Sequence, residues 1–299
     1  MRTSGASPIC LLLAASLLVG CGGGGTRQDD RPLVVVTTSV LGDLVAMVTG
    51  SEAEVEVLMP RGTDPHGFSP SPRQVASIRE AALVVANGLG LEEGLTDALA
   101  TVRDEGRDVL EIAPEVDPVP LEDGEGLDPH VWLDPVRMAD AMRAVARRLD
   151  RIAPGGWEAR AEKVARRLHD LDDEIRGILD PIPGYRRLLV TNHEALGYFA
   201  ARYDLEVIGT VIPSVSTLGQ PSAGGFAELA ALIRERDVTA IFAETTQPVE
   251  LAESLAAEVG RPVKVVELFT ESLGPPGSGA GTYAGMLRTD ARRIAEALG

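Results

Sequence analysis

The chain is poor in cysteine, histidine and aromatic residues, with two cysteines, four histidines and 4% aromatics in 299 residues. Cys10 lies inside an N-terminal apolar segment and Cys21 follows directly after it. Beyond position 21 there is no thiol, so a disulfide framework and a cysteine metal site are both excluded there. Any metal site must be built from His, Asp, Glu and water. The shortage of aromatics argues against sugar stacking and leaves Ala, Val and Leu to fill the core. Positive charge is also short, with 28 Lys and Arg against 45 Asp and Glu, a formal net charge of −17. That balance argues against nucleic acid and anionic membrane surfaces as partners and suits a cationic ligand, although an acidic surface also serves solubility alone.

The apolar run at residues 9–19 is too short for the roughly 20 residues a helix needs to cross a bilayer. Behind Met1-Arg2 it fits the apolar stretch of a signal peptide. Leu18-Val19-Gly20-Cys21 is similar to the lipobox of bacterial lipoproteins, in which the cysteine is lipidated and begins the mature chain. Residues 1–20 are therefore expected to be a signal peptide. Residues 21–31 are expected to be the lipidated Cys21 and a flexible Gly- and Asp-rich tether.

The remaining residues, 44% apolar over the whole chain, suffice for two medium domains or one large one. Strand and helix signals alternate. Leu33-Val34-Val35-Val36-Thr37-Thr38 is a continuous run of the kind buried on both faces of a sheet. Helical spacing covers 40–48, a second strand 55–59, a helix 74–82, and short strands 83–86 and 109–112. Pro135 opens a helix to about residue 152, because proline suits the first helical turn. In the second half, strands are expected at 187–191, 206–212, 240–244 and 263–268. Helices are expected at 222–236, 248–259 and 283–298, with an irregular Gly/Pro-rich stretch at 274–281. This alternation predicts parallel sheets covered by helices.

Trp157, Ala161, Val164, Leu168, Leu171, Ile175 and Ile178 are spaced by four and three in turn, which predicts one long amphipathic helix ended by Pro181 and Pro183. His169, beside that stripe among Arg166, Arg167, Asp170 and Asp172, reads as a solvated helix-surface residue. The expected architecture is α/β. An N-terminal lobe at 32–153 and a C-terminal lobe at 184–299 have parallel-type central sheets and are joined by one long rigid helix within 154–183. A continuous helix there is expected to limit hinge motion between the lobes.

The other three histidines stand on loops just past extended runs, in Asp64-Pro65-His66, Asp128-Pro129-His130 and Thr191-Asn192-His193-Glu194. Imidazole is the commonest protein ligand for transition metals. Ligands of open α/β sheets bind beyond the carboxyl ends of strands, where these residues, Glu244 and Glu271 all fall. In each Asp-Pro-His context the adjacent carboxylate is placed to hold the second ring N–H. Spacing alone leaves open three unrelated loop histidines.

Thr37-Thr38-Ser39, the run from Gly62 to Pro72 and the run from Asp128 to Pro135 together resemble the zinc- and manganese-binding lipoproteins of ABC importers, the family 9 solute-binding proteins of cluster A-I. The resemblance continues through His193-Glu194-Ala195-Leu196-Gly197-Tyr198-Phe199, Ile241-Phe242-Ala243-Glu244, Glu271-Ser272-Leu273-Gly274 and Thr282-Tyr283. It implies two α/β lobes bridged by a rigid helix, with a metal site between them. By motif it implies His66, His130 and His193 as ligands, with the acidic residue before Ser-Leu-Gly as the fourth. Aspartate is usual in the family at that point, whereas this chain has Glu271, one methylene longer. The resemblance also implies an ABC permease and its ATPase as partners. The chain is then an extracytoplasmic monomer tethered through Cys21 on the periplasmic or cell-surface side.

Three imidazoles and one carboxylate suit Zn2+ better than Mn2+, which favours harder oxygen ligands. A manganese carrier of the same family is the alternative, since residues 115–126 lack the His-rich loop of many zinc members and read as a solvated acidic loop. Because the imidazoles bind metal only when neutral, affinity is expected to fall as pH drops through roughly 6. A zinc metallohydrolase is a rival of another class. His193-Glu194 opens like His-Glu-x-x-His, but Gly197 stands where the second histidine is needed. An organic-solute binder or an adhesin is a further reading.

Overall fold

A computed structural model describes residues 31–121 and 126–299. The signal peptide, Cys21 and most of the tether lie outside the described residues, as does the middle of the acidic loop. Strands β1 (Leu33–Val36), β2 (Glu54–Val57), β3 (Leu83–Ala86) and β4 (Val109–Glu111) form one sheet in the order β2-β1-β3-β4. Strands β5 (Leu188–Thr191), β6 (Glu206–Thr210), β7 (Ala240–Glu244) and β8 (Lys264–Leu268) form a second in the equivalent order β6-β5-β7-β8. Every pairing is parallel. The molecule thus has the two α/β lobes expected.

The strand patterns follow their positions. Central β3 is wholly apolar and buried, whereas edge strand β2 alternates Glu and Val and is partly exposed. Regular pairing of β2 ends at Val57, earlier than its apolar pattern, which runs on through Met59. Leu58 and Met59 still donate backbone N–H groups to Val36 and Thr37 before Pro60 ends the run.

The helices are α1 (Ser39–Thr49), α2 (Pro72–Glu80), α3 (Thr96–Asp104), α4 (Pro135–Ile152), α5 (Trp157–Leu179), α6 (Gly197–Arg202), α7 (Ala223–Glu235), α8 (Glu250–Glu258) and α9 (Tyr283–Leu298). Their starts are chemically marked. Thr38, Ser71, Asp134, Ser222 and Thr282 each accept from a backbone N–H of the first turn. Ser71 and Gln74 complete a capping box ahead of Pro72. Neither α3 nor α6 is foreseen by periodicity. Only Leu99 and Val102 of α3 are buried, and α6 is six residues long and opens on Gly197.

Helix α5 buries the expected stripe, but at its end Leu179 is buried and Ile178 only half-buried. A straight helix drifts off a seven-residue repeat, which moves the buried face by one position. His169 is exposed as expected. Asp172 is not the solvated flank residue its neighbours suggest. It is 6% exposed, and Arg202 of α6 binds both its oxygens at 2.6 Å. A carboxylate is buried only with a partner, and this one stands thirty positions away, beyond any local pattern.

Helix α5 lies between the sheets in sequence and packs on α4, α1 and α9. The last helix, α9, packs on β8 as well as on α5 and α1, so it also ties the lobes together. The largest apolar cluster runs through both lobes, joining Val34 and Val36 of β1 to Leu189, Phe242, Leu168 and Ile294. Smaller clusters lie under α2 and α3 and under α7 and α8. Arg61 donates to the carbonyls of Gly274 and Gly281 and so pins the irregular 274–281 segment to the first lobe. No helix among the described residues is long and apolar enough to cross a membrane.

Candidate metal centre

Four side chains from distant parts of the chain meet at the carboxyl ends of the strands. One ligating atom from each of His66, His130, His193 and Glu271 lies within 4.8 Å of the others, and all four residues are buried. The ring centroids of the three histidines are 5.1–5.8 Å apart. Exposed His169 is no part of the group.

His130 follows Asp128-Pro129 into a short 3-10 turn. Asp128 Oδ1 accepts the His130 backbone N–H at 2.9 Å and lies 2.7 Å from Nδ1. The ring is thereby fixed with Nε2 toward the centre, as the Asp-Pro-His context suggests. His66 departs from that expectation. Asp64 Oδ1 accepts only its backbone N–H, at 3.0 Å. Asp64 Oδ2 instead accepts from Thr217 and Gln247 of the second lobe, each at 2.6 Å.

His193 sits just past β5, and its Nδ1 lies 2.5 Å from Oε1 of Glu244, the last residue of β7. Its Nε2 lies 3.2 Å from Nε2 of His130. Glu244 therefore orients His193 as Asp128 orients His130. The sequence placed Glu244 at a strand end without assigning it this role, and strand position is the only local signal for it. Glu271 follows β8, with Oε1 3.8 Å from His130 Nε2 and 3.7 Å from His193 Nε2. The longer side chain thus reaches the cluster. Both Glu271 oxygens are buried without a hydrogen-bond partner among the described residues, which is costly for a carboxylate unless a cation faces it.

The Glu271 loop is fastened to the first lobe on both sides. Trp132 Nε1 donates to the Thr270 carbonyl at 2.7 Å, and Ser272 Oγ lies 3.0 Å from Ser39 Oγ while accepting from Gly62 N–H at 2.8 Å.

Electrostatics divides the histidines. Burial, with the His130 and His193 charges beside it, holds His66 down at about 2. Burial also lowers His130, against the pull of Asp128. At His193 burial is outweighed by Glu244, Glu271 and Asp64, and the pKa rises to about 9. Burial raises Glu271 well above the usual carboxylate range, against the pull of His193. The centre therefore holds protons that a metal must displace. Glu194 is exposed and outside the cluster, and Gly197 begins α6, so the hydrolase motif is absent here too.

Three imidazoles and an unpaired carboxylate, enclosed between two parallel-sheet lobes, define a metal-binding protein of the two-lobed solute-binding class. The chain belongs to the ZnuA family, described as zinc-uptake complex component A, periplasmic, whose sequence model matches residues 34–297. It is an extracytoplasmic metal-binding receptor for ABC import and not an enzyme. It is 34% identical to the zinc-binding protein TroA of Treponema pallidum over 90% of this chain and 89% of that protein. It is 31% identical to the manganese-binding lipoprotein MntA of Halalkalibacterium halodurans over 93% of each. The solved structure of the periplasmic zinc-binding protein TroA superposes with a TM-score of 0.84 at 33% identity, covering 90% of this chain and 99% of that one.

Proposed function

We propose that this receptor captures one zinc ion between its lobes, on His66, His130, His193 and Glu271, and delivers it to an ABC permease and its ATPase. The observation that carries the reading is the spacing of His130 and His193. Two nitrogens bound tetrahedrally at about 2.0–2.1 Å from one zinc lie about 3.3–3.4 Å apart. The two Nε2 atoms are 3.2 Å apart. The nitrogen-rich donor set supports zinc over manganese, in line with the affinity order of divalent metals.

Manganese is the second reading, because a manganese-binding lipoprotein is nearly as similar as the zinc-binding relative. Lipidation at Cys21, a tether to residue 31, lobes at 32–153 and 184–299 joined across 154–183, and action as a monomer complete the proposal. The test is metal analysis of protein purified without added metal, followed by competition between zinc and manganese. Preference for manganese at equal free concentrations rejects the zinc assignment.

A further inference from the structure

Two of the three imidazoles have a short bond from Nδ1 to a carboxylate: Asp128 serves His130 and Glu244 serves His193. His66 has none. It is 2% exposed, and neither ring nitrogen has a hydrogen-bond partner. Glu93 Oε1 stands 3.6 Å from its Nδ1, too far for a hydrogen bond. A shift of about 0.7 Å would make one. The same Oε1 accepts from Ser216 Oγ at 2.5 Å. Glu93 follows β3 in the first lobe and Ser216 follows β6 in the second, so one carboxylate oxygen stands between the His66 ring and the opposite lobe.

The fold fixes the backbone at Glu93 from both sides, while its side chain is 42% exposed. Buried Glu92 accepts from Thr37 Oγ1, Asn87 N–H and Gly88 N–H at 2.7–3.0 Å. A Cβ on Gly94 would lie 2.2 Å from the Phe68 carbonyl oxygen, so only glycine lets this turn lie against the His66 loop.

We propose that Glu93 is the carboxylate partner of His66 and, through Ser216, makes the setting of that ring and the closure of the second lobe one event. The inference rests on the reading of His66 as a ligand. With Nδ1 turned toward Glu93, Nε2 is left for the metal, the same division seen in His130 and His193. A bound cation makes the Nδ1–H a stronger donor, which draws Glu93 toward the ring and Ser216 with it. Metal loss loosens both contacts together. Glu93 is a positioning residue here, since it reaches the metal only through His66.

The experiment measures zinc affinity and chelator-driven zinc release for the full chain and its Glu93→Ala, Glu93→Gln, Ser216→Ala, Gly94→Ala and His66→Ala variants. Glu93→Ala is expected to weaken binding about 10-fold, the lower end for an outer partner of a ligand, mainly through faster release. Glu93→Gln keeps an acceptor oxygen and is expected to recover most of the loss. Ser216→Ala should also speed release, and adding it to Glu93→Ala should change nothing further, because both act through one oxygen. In zinc-loaded protein with 15N-labelled histidine, the His66 ring N–H should exchange faster with water in Glu93→Ala. Gly94→Ala keeps the carboxylate but moves the turn, and should release zinc faster too. Unchanged release and ring exchange in Glu93→Ala, with His66→Ala still weakening zinc, overturns the role of Glu93. Unchanged zinc binding in His66→Ala overturns the ligand reading itself.

Discussion

His130 Nε2 and His193 Nε2 face each other across the lobes at 3.2 Å, each ring held from behind by a carboxylate on Nδ1. Asp128 is two residues from its histidine, while Glu244 is fifty-one residues from His193. One half of the pair is thus set by a local motif and the other by the pairing of β5 with β7.

On the proposed reading, this opposition makes the imidazoles the main source of affinity. His66→Ala, His130→Ala and His193→Ala are each expected to weaken zinc by about 100-fold or more, since even outer partners of a ligand account for 10–100-fold. His169→Ala should bind as the unaltered protein does. Isothermal titration with a competing chelator measures this. Unchanged affinity in any one of the three removes that residue from the ligand set.

Glu244→Gln keeps the shape of the side chain but removes its charge from His193. Zinc affinity is expected to drop about 10-fold or more. In the metal-free protein the His193 pKa should fall from about 9, which histidine-resolved NMR titration reads directly. A His193 titration that does not move would show that Glu244 does not set its charge.

The pH dependence differs from that of three ordinary imidazoles titrating near 6. His193 holds its proton up to about 9, so zinc affinity should already be falling between pH 9 and 7. His66, at about 2, adds no proton competition in that range. Stability of the metal-free protein follows the same groups with opposite signs. His193 is raised, so its contribution is complete below about 6.5 and is lost as pH rises through about 9. His66 is depressed, so the unfolded chain takes up more protons below about 6.5 and stability falls from there toward about pH 2. Denaturant melts across pH should peak between these limits, and zinc affinity that is flat from pH 9 to 7 would contradict the assignment to His193.

Arg202 binds buried Asp172 with two hydrogen bonds and lies 3.3 Å from Asp134, the cap of α4. Removing it leaves a carboxylate with little water. Arg202→Ala is expected to cost about 2 kcal/mol, below the usual range for a fully buried pair because the arginine is partly exposed. Restored stability in Arg202→Ala/Asp172→Asn would identify the unpaired charge as the cause. Equal loss in the double variant would point to lost packing instead.

Metal removal should leave α5 protected from hydrogen exchange, because its apolar face packs on α1, α4 and α9. Exchange should rise at 213–219, which Asp64 and Glu93 hold through Thr217 and Ser216, and near 274–281. Loss of protection along α5 would mean that the lobes hinge through that helix.

The two α/β lobes and most helix boundaries were legible in local signals: β-branched runs, the four-and-three spacing of α5, and caps such as Ser222 and Thr282. Placement after strands singled out the three histidines, but only the family motifs grouped them with Glu271. Short elements such as α3 and α6 carry too little pattern to be read, because a few buried side chains and a neighbouring sheet hold them. The packed fold was needed to show that Asp64 serves the backbone and the opposite lobe instead of the His66 ring, that Glu244 orients His193, and that Asp172 is buried. Each of those roles depends on a partner brought close by strand order and helix packing, and a side chain's own neighbours in sequence contain no record of it.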